Sequence, residues 1–165
     1  MVGDRKAVAC IEDTAVALED LKDFIGEFTK IMKGYDQEAV YYAHAGAGEL
    51  HLRPILNLKQ AADVAMFRGI TTDVAKLTKK YKGSFSGEHG DGYLRSWLGE
   101  ELYGPRIMEA FRKVKKAFDP SNLMNPGKVI PTQGFAENLR MHPGIEQKEI
   151  ETVMDFKHEG GFAFA

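Results

Sequence analysis

Apolar and polar positions along this chain follow two rhythms, and the switches between them mark its elements. Val8 to Ile11 is a short apolar run that reads as a strand, with Asp13-Thr14 as a turn or cap after it. Leu18, Leu21, Phe24, Ile25, Phe28, Ile31 and Met32 then recur at three-and-four spacing, which predicts an amphipathic helix with Gly34 suited to its C-cap. Ala39 to His44 and Leu50 to Ile55 are β-rich runs around a glycine segment, the pattern of a hairpin. Pro54 puts the end or the edge of the sheet at the second strand. A second helix is expected from about Gln60 to Tyr81, with Val64, Ala65, Phe67, Ile70, Val74 and Leu77 inward and three lysines at its C-terminal end. Gly104-Pro105 opens a third, whose core face is predicted as Ile107, Met108, Phe111, Val114, Ala117 and Phe118, and Asp119-Pro120 closes it. Strand, helix, strand, strand, helix, helix is an α+β order, an antiparallel sheet covered by helices.

The length of 165 residues suits one domain with an extension. From Pro131 onward the pattern loosens, so residues 1–130 are read as the domain and 131–165 as an extension or linker toward a following domain. A formal net charge of -2 offers no basic stripe, which argues against nucleic acid as a partner. The single cysteine, Cys10, excludes an internal disulfide framework and fits a reducing compartment. No apolar run approaches the roughly 20 residues of a spanning helix. The cytoplasm is therefore the expected compartment. The chain starts close to its first strand and stops on the apolar run Phe162-Ala163-Phe164-Ala165, whereas termini are usually polar, so a piece of a longer polypeptide is expected.

The chemistry concentrates in two glycine-rich segments, His44-Ala45-Gly46-Ala47-Gly48-Glu49-Leu50-His51 and Ser86-Gly87-Glu88-His89-Gly90-Asp91-Gly92. A hairpin paired symmetrically about its loop sets His44 against His51, with Cβ atoms roughly 4.5–5.5 Å apart. Two imidazoles at that spacing can hold one zinc-sized ion. Arg53 shares the face of His51 and suits a carboxylate-bearing substrate. Glu88 can complete a His, His, Glu set with an open position, leaving His89 as a general base. The same residues also suit hydrogen-bonded histidines and a solvated glycine turn. Arg95 follows the loop closely but reads first as a surface residue, Trp97 and Met124 as packing residues, and of Tyr41 and Tyr42 one faces the core. The GxG of the first segment lacks the third glycine and the following helix of a dinucleotide fingerprint.

Together with Asp119-Pro120-x-x-x-x-Asn125-Pro126-Gly127-Lys128, these motifs stand in the order and spacing of a known family. The stretch from Val8 to Ile130 resembles the C-terminal part of FAD-linked oxidases of the vanillyl-alcohol oxidase type, among them glycolate oxidase, D-lactate dehydrogenase and D-2-hydroxyglutarate dehydrogenase. The resemblance implies a ferredoxin-like antiparallel sheet with helices on one face, followed by a helical C-terminal segment. It implies that most of the FAD site lies on an N-terminal FAD-binding domain outside this chain. His44, His51 and Glu88 match the family's ligands for a divalent metal, zinc or manganese, and His89 matches its catalytic base. Asn125 and Lys128 fall in the segment that returns to the flavin. The commoner loop reads His-x-Gly-Asp-Gly-Asn-x-His, and this chain departs from it at Ala47 and Glu49.

The resemblance thus implies oxidation of a small D-2-hydroxy acid (lactate, glycolate or 2-hydroxyglutarate type) to a 2-oxo acid, with His89 taking the hydroxyl proton. Arg53 stands where some relatives have a different polar residue, and its expected role in holding the carboxylate comes from its place beside His51. It is similar to large fused members in which an iron–sulfur cluster region follows, with an electron-transfer partner and an association peripheral to the membrane for the full-length protein. An unpaired sheet edge makes a homodimer a further expectation. The alternatives are a non-catalytic metal- or ligand-binding module and a zinc-dependent hydrolase. On any of the oxidase readings the isolated chain is expected to be inactive.

Overall fold

A computed structural model of the chain describes residues 3–146 together with Val153 and His158. Its strands are β1 (Lys6–Ala7), β2 (Ile11–Ala15), β3 (Ala39–His44) and β4 (Glu49–Leu56). Its helices are α1 (Leu21–Gly34), α2 (Ala61–Lys80), α3 (Gly99–Tyr103) and α4 (Pro105–Phe118). Among the described residues no helix is long and apolar enough to cross a membrane. All strand pairings are antiparallel, and β4 is the centre of the sheet. Strand β3 lies along one edge of it, and β1 and then β2 lie along the other. The expected α+β fold, an antiparallel sheet with helices, is the one observed.

Strand β4 explains why the sheet has one dry face and one chemical face. Side chains alternate along a strand, so Leu50, Leu52 and Leu56 point one way while Glu49, His51 and Arg53 point the other. The leucines join Phe24, Phe28 and Met32 of α1 and Phe67, Ile70 and Val74 of α2 in one core. Phe24 and Phe28 have no exposure, and burying each contributes roughly 1.5–3 kcal/mol. Gly48 turns the hairpin in the left-handed region at φ 73°. A Cβ there would meet the Val16 carbonyl oxygen at 2.1 Å, so only glycine fits on both counts.

The structure departs from the sequence reading at β4, which neither ends at Pro54 nor lies at an edge, and in three further places. Val8 to Ile11 is not one strand: pairing breaks after Ala7 and resumes at Ile11. Asp13-Thr14 is not a turn but part of β2, with Thr14 opposite Leu50. Between Ile11↔Leu52 and Thr14↔Leu50 the register shifts, so Glu12 and Asp13 together oppose His51 in a β-bulge. The third departure is α4. Of its predicted core face Met108 alone is buried, while Ile107, Val114 and Phe118 are 47%, 58% and 81% exposed. Periodicity reports that one face is apolar, and not that its cover lies in this chain. The expected packing of Met124 fails likewise, since it is exposed.

Of the extension expected at 131–165, Phe135 packs at a tilt against Phe67 and edge-on against Trp97, at 4.9 and 5.1 Å, and Leu139 also packs on the core. Beyond 146, apart from Val153 and His158, that stretch lies outside the described residues.

Candidate active site

The hairpin register is one pair away from the symmetric arrangement. His44 lies opposite Glu49, and His51 lies opposite Tyr42. The loop occupies 45–48, so the expected direct pairing of His44 with His51 is corrected to a diagonal one. Shifting by a whole pair keeps every side chain on its face. His44 and His51 therefore still meet, with ring centroids 5.1 Å apart. Tyr42 lies over His51 at 4.9 Å and beneath Arg53 at 5.2 Å, while Tyr41 packs edge-on against core Phe28 at 5.5 Å.

The second glycine segment is fastened to this face. Phe85 is buried in the core just before it. Ser84 and Ala15 exchange two backbone hydrogen bonds of 2.8 Å, and Gly87 N–H donates to the Asp13 carbonyl at 2.7 Å. The loop thus runs as a partial extra strand along β2. A Cβ on Gly87 would come within 3.1 Å of Glu49 Oε1, so the missing side chain lets the loop close on the sheet.

That closure brings one oxygen of Glu88 among three imidazoles. Glu88 Oε1 lies 3.8 Å from His44 Nε2, 3.9 Å from His51 Nε2 and 3.2 Å from His89 Nε2. The rings of His51 and His89 stack at 5.7 Å. His51 Nδ1 is hydrogen-bonded to the Glu12 carbonyl oxygen, which can only accept. The proton therefore sits on Nδ1, and the Nε2 lone pair faces Glu88. Metal-binding histidines are oriented by this kind of carbonyl contact. Ligand atoms of His44, Glu49, His51 and Glu88 all lie within 4.8 Å of one another. Two atoms sharing an ion at about 2.0–2.2 Å each are at most about 4.4 Å apart. A small side-chain adjustment thus separates this arrangement from a coordinated one, and the donor set fits a divalent ion.

Asp13, Glu88 and His89 form a second group within the same span, but Asp13 is already committed. Its carboxylate accepts from Ser86 Oγ at 2.8 Å, Glu88 N at 2.9 Å and His89 N at 3.0 Å, and it has no exposure. Burial pushes its pKa upward, and the hydrogen bonds from Glu88, Ser86 and His89 outweigh that and hold it below the usual range. Glu49 goes the other way: burial raises it, with Asp13 and Glu88 adding to the effect. Arg95 is buried and not on the surface, with Nη2 donating to the Gly90 carbonyl at 2.8 Å and Nη1 3.5 Å from Asp13. Beside it, burial raises the Asp91 carboxyl, a rise Arg95 opposes. Arg53 is not a free anchor, since its Nη2 lies 2.5 Å from Glu12 Oε2.

Asn125 and Lys128 lie apart from the imidazoles. Both are exposed, and Lys128 Nζ donates to Asn125 Oδ1 at 3.4 Å. Their segment is tied to the loop's continuation by Tyr93, which donates to the Pro126 carbonyl at 2.8 Å, and by Ser96, which accepts from Val129 N at 3.0 Å. Lys128 also lines a cavity of about 240 Å³ with Arg112, Lys115 and Lys116, each of which is already bonded to Glu100, Asp119 or the Pro120 carbonyl.

Three residues at this site were not picked out by the sequence reading. Glu49 had a usable signal, standing two positions before His51 on a strand. Glu12 and Asp13 had none, because nothing in an apolar–polar pattern announces a bulge.

The family described as FAD linked oxidases, C-terminal domain, matches residues 1–129. The chain is 40% identical to D-2-hydroxyglutarate dehydrogenase of Pseudomonas putida over 154 residues, 93% of this chain and 15% of that protein. It is 38% identical to D-2-hydroxyglutarate dehydrogenase of Escherichia coli over 133 residues, 81% of this chain and 13% of the relative. D-lactate dehydrogenase of Archaeoglobus fulgidus is 32% identical over 128 residues, 78% of this chain and 28% of its own length. The chain belongs to the family of FAD-linked oxidase C-terminal domains. It spans less than a third of each of these relatives.

Proposed function

We propose that this chain supplies the substrate and metal side of an FAD-dependent oxidoreductase that converts a small D-2-hydroxy acid to a 2-oxo acid. The observation that carries the reading is the meeting of three Nε2 atoms around one Glu88 oxygen, with the His51 tautomer set by the Glu12 carbonyl. His44, His51 and Glu88 would hold a divalent ion, zinc or manganese. Such an ion supplies Lewis acidity, lowering the pKa of a hydroxyl bound to it. FAD, when bound by the partner domain, supplies the hydride acceptor.

The chain's own residues do the rest. His89 Nε2 takes the hydroxyl proton; at 43% side-chain exposure the ring is open to substrate. The substrate loses that proton and a hydride and leaves as the 2-oxo acid. Arg53 steers the carboxylate, sharing its guanidinium between substrate and Glu12. Asp13 holds the loop so that Glu88 and His89 stay fixed relative to the hairpin. Asn125 and Lys128 face the flavin-bearing domain, and the exposed apolar side of α4 is the surface that domain covers. Cys10 supplies no iron–sulfur ligand, because it is fully buried and its thiol is pushed up to about 12 by burial. A cluster, in the larger protein, would belong to a region outside this chain.

The test is anaerobic flavin reduction in the flavoprotein containing this chain, mixed with D-lactate, glycolate or D-2-hydroxyglutarate. His89→Ala should lower the reduction rate on the order of 10²–10⁴-fold with flavin content unchanged. An unchanged rate would remove His89 from the reaction.

A further inference from the structure

We propose that Glu49 is a fourth protein ligand of the divalent ion, so that this chain's centre has two imidazoles and two carboxylates and favours a six-coordinate ion such as Mn²⁺. The inference rests on the reading that His44, His51 and Glu88 bind a metal.

Backbone register places Glu49 there. It is directly opposite His44 and two positions from His51, so all three share the chemical face of the hairpin. A carboxylate oxygen of Glu49 belongs to the same set of ligand atoms, all within 4.8 Å of one another. The residue is 8% exposed, and its Oε1 is buried without a hydrogen-bond donor. A bare buried acceptor costs on the order of 1–3 kcal/mol, and more when charged. Its neighbours Asp13 and Glu88 are themselves carboxylates, and Asp13 can share a hydrogen bond with it only when a proton lies between them. A cation at the centre of the imidazoles serves these carboxylates without that proton.

Charge balance agrees. Glu12, Asp13, Glu49 and Glu88 stand around the imidazoles, and Arg53 and Arg95 are the cations that face them. With neutral imidazoles and all four carboxylates ionised, the surplus among these described residues is two negative charges, which one divalent ion offsets. Uncompensated buried charge is otherwise costly.

Ligand count then decides the ion. Four protein ligands close a tetrahedral zinc centre, whereas catalytic zinc sites keep a position open. A six-coordinate ion with the same four ligands keeps two positions. Two positions are what the hydroxyl and one carboxylate oxygen of a 2-hydroxy acid require for chelation. Carboxylate donors favour Mn²⁺ among such ions, while imidazole alone leans toward zinc.

The experiment is a Mn²⁺ titration of the metal-stripped 165-residue chain, following loss of the free-ion paramagnetic resonance signal. Glu49→Gln keeps the shape, Glu49→Asn installs the residue of the commoner loop, and His51→Ala is the control. Circular dichroism verifies that each variant is folded. Mn²⁺ affinity should fall about 100-fold in both Glu49 variants, at the upper end of what even an outer-shell partner costs. In the Co²⁺-loaded chain, weak six-coordinate absorption bands should change on Glu49→Gln. Unchanged affinity and unchanged bands in the Glu49 variants, with binding lost in His51→Ala, would remove Glu49 and leave the three-ligand reading standing. No binding by the unaltered chain, or full binding by His51→Ala, would overturn the three-ligand reading and Glu49 with it.

Discussion

Asp13 ties the second glycine segment to the sheet through three hydrogen bonds, and its replacement tests that role. In Asp13→Ala the Ser86 hydroxyl and the N–H groups of Glu88 and His89 lose their acceptor, and Arg95 loses the carboxylate 3.5 Å away. Hydrogen bonds to a charged group contribute about 1.5–3 kcal/mol each. They are not additive here, because the freed loop can turn some donors to water. Arg95 stays buried, and stripping one partner from a buried pair costs about 3–5 kcal/mol. We expect a total near 4 kcal/mol, which for a domain of this size lowers Tm by about 10–15 °C. Thermal unfolding by circular dichroism at neutral pH measures it, and hydrogen exchange at the Glu88 and His89 amides locates it.

The pH dependence has a fixed sign. The Asp13 carboxyl is held below its ordinary value by those donors, so its contribution is complete above the unfolded carboxylate pKa, about 3.9. That contribution is lost as pH falls through the lower folded value. The gap between parent and Asp13→Ala should therefore narrow on acidification. A Tm within about 2 °C of the parent with unchanged amide exchange, or a gap that widens in acid, would refute this role.

Asp119 is held at about 2, first by Lys115 at 2.5 Å and then by the N–H groups of Leu123 and Met124. Its stabilisation is present above the ordinary carboxylate range and vanishes as pH approaches 2, so the Tm curves of parent and Asp119→Asn should converge in acid and separate near pH 5. Gly48→Ala forces a Cβ against the Val16 carbonyl at a left-handed residue and should cost more than about 2 kcal/mol in urea unfolding. Phe118→Glu, on the open face of α4, should change the stability of this chain by no more than about 0.5 kcal/mol. The same change should weaken its association with a separately made FAD-binding domain in a pull-down titration.

Long-range order was legible where one rhythm ran uninterrupted. Helix α2 was expected over Gln60 to Tyr81 and occupies Ala61–Lys80, because its apolar positions repeat with neither proline nor a gap. The face of His44, His51 and Arg53 was legible because alternation along a strand survives a shift by a whole pair. The register itself was not, since moving the closing pair by two residues leaves every side chain on the same face, and alternation cannot tell the two arrangements apart. The bulge at Glu12 and Asp13 was hidden for a related reason: one extra residue in β2 changes pairing without changing composition. Arg53 was read as an anchor for substrate because it shares the face of His51, and its pairing with Glu12 stayed hidden because it depends on that bulge. The exposure of the apolar face of α4 was not legible either, because periodicity marks a face as apolar without saying what packs on it.

The central claim is that one divalent ion belongs among His44, His51 and Glu88. Elemental analysis of the dialysed chain, beside the His44→Ala/His51→Ala variant, tests it most directly. The account predicts one zinc or manganese per chain, absent from the variant. An unaltered chain free of metal, or a variant that keeps its metal, would contradict it.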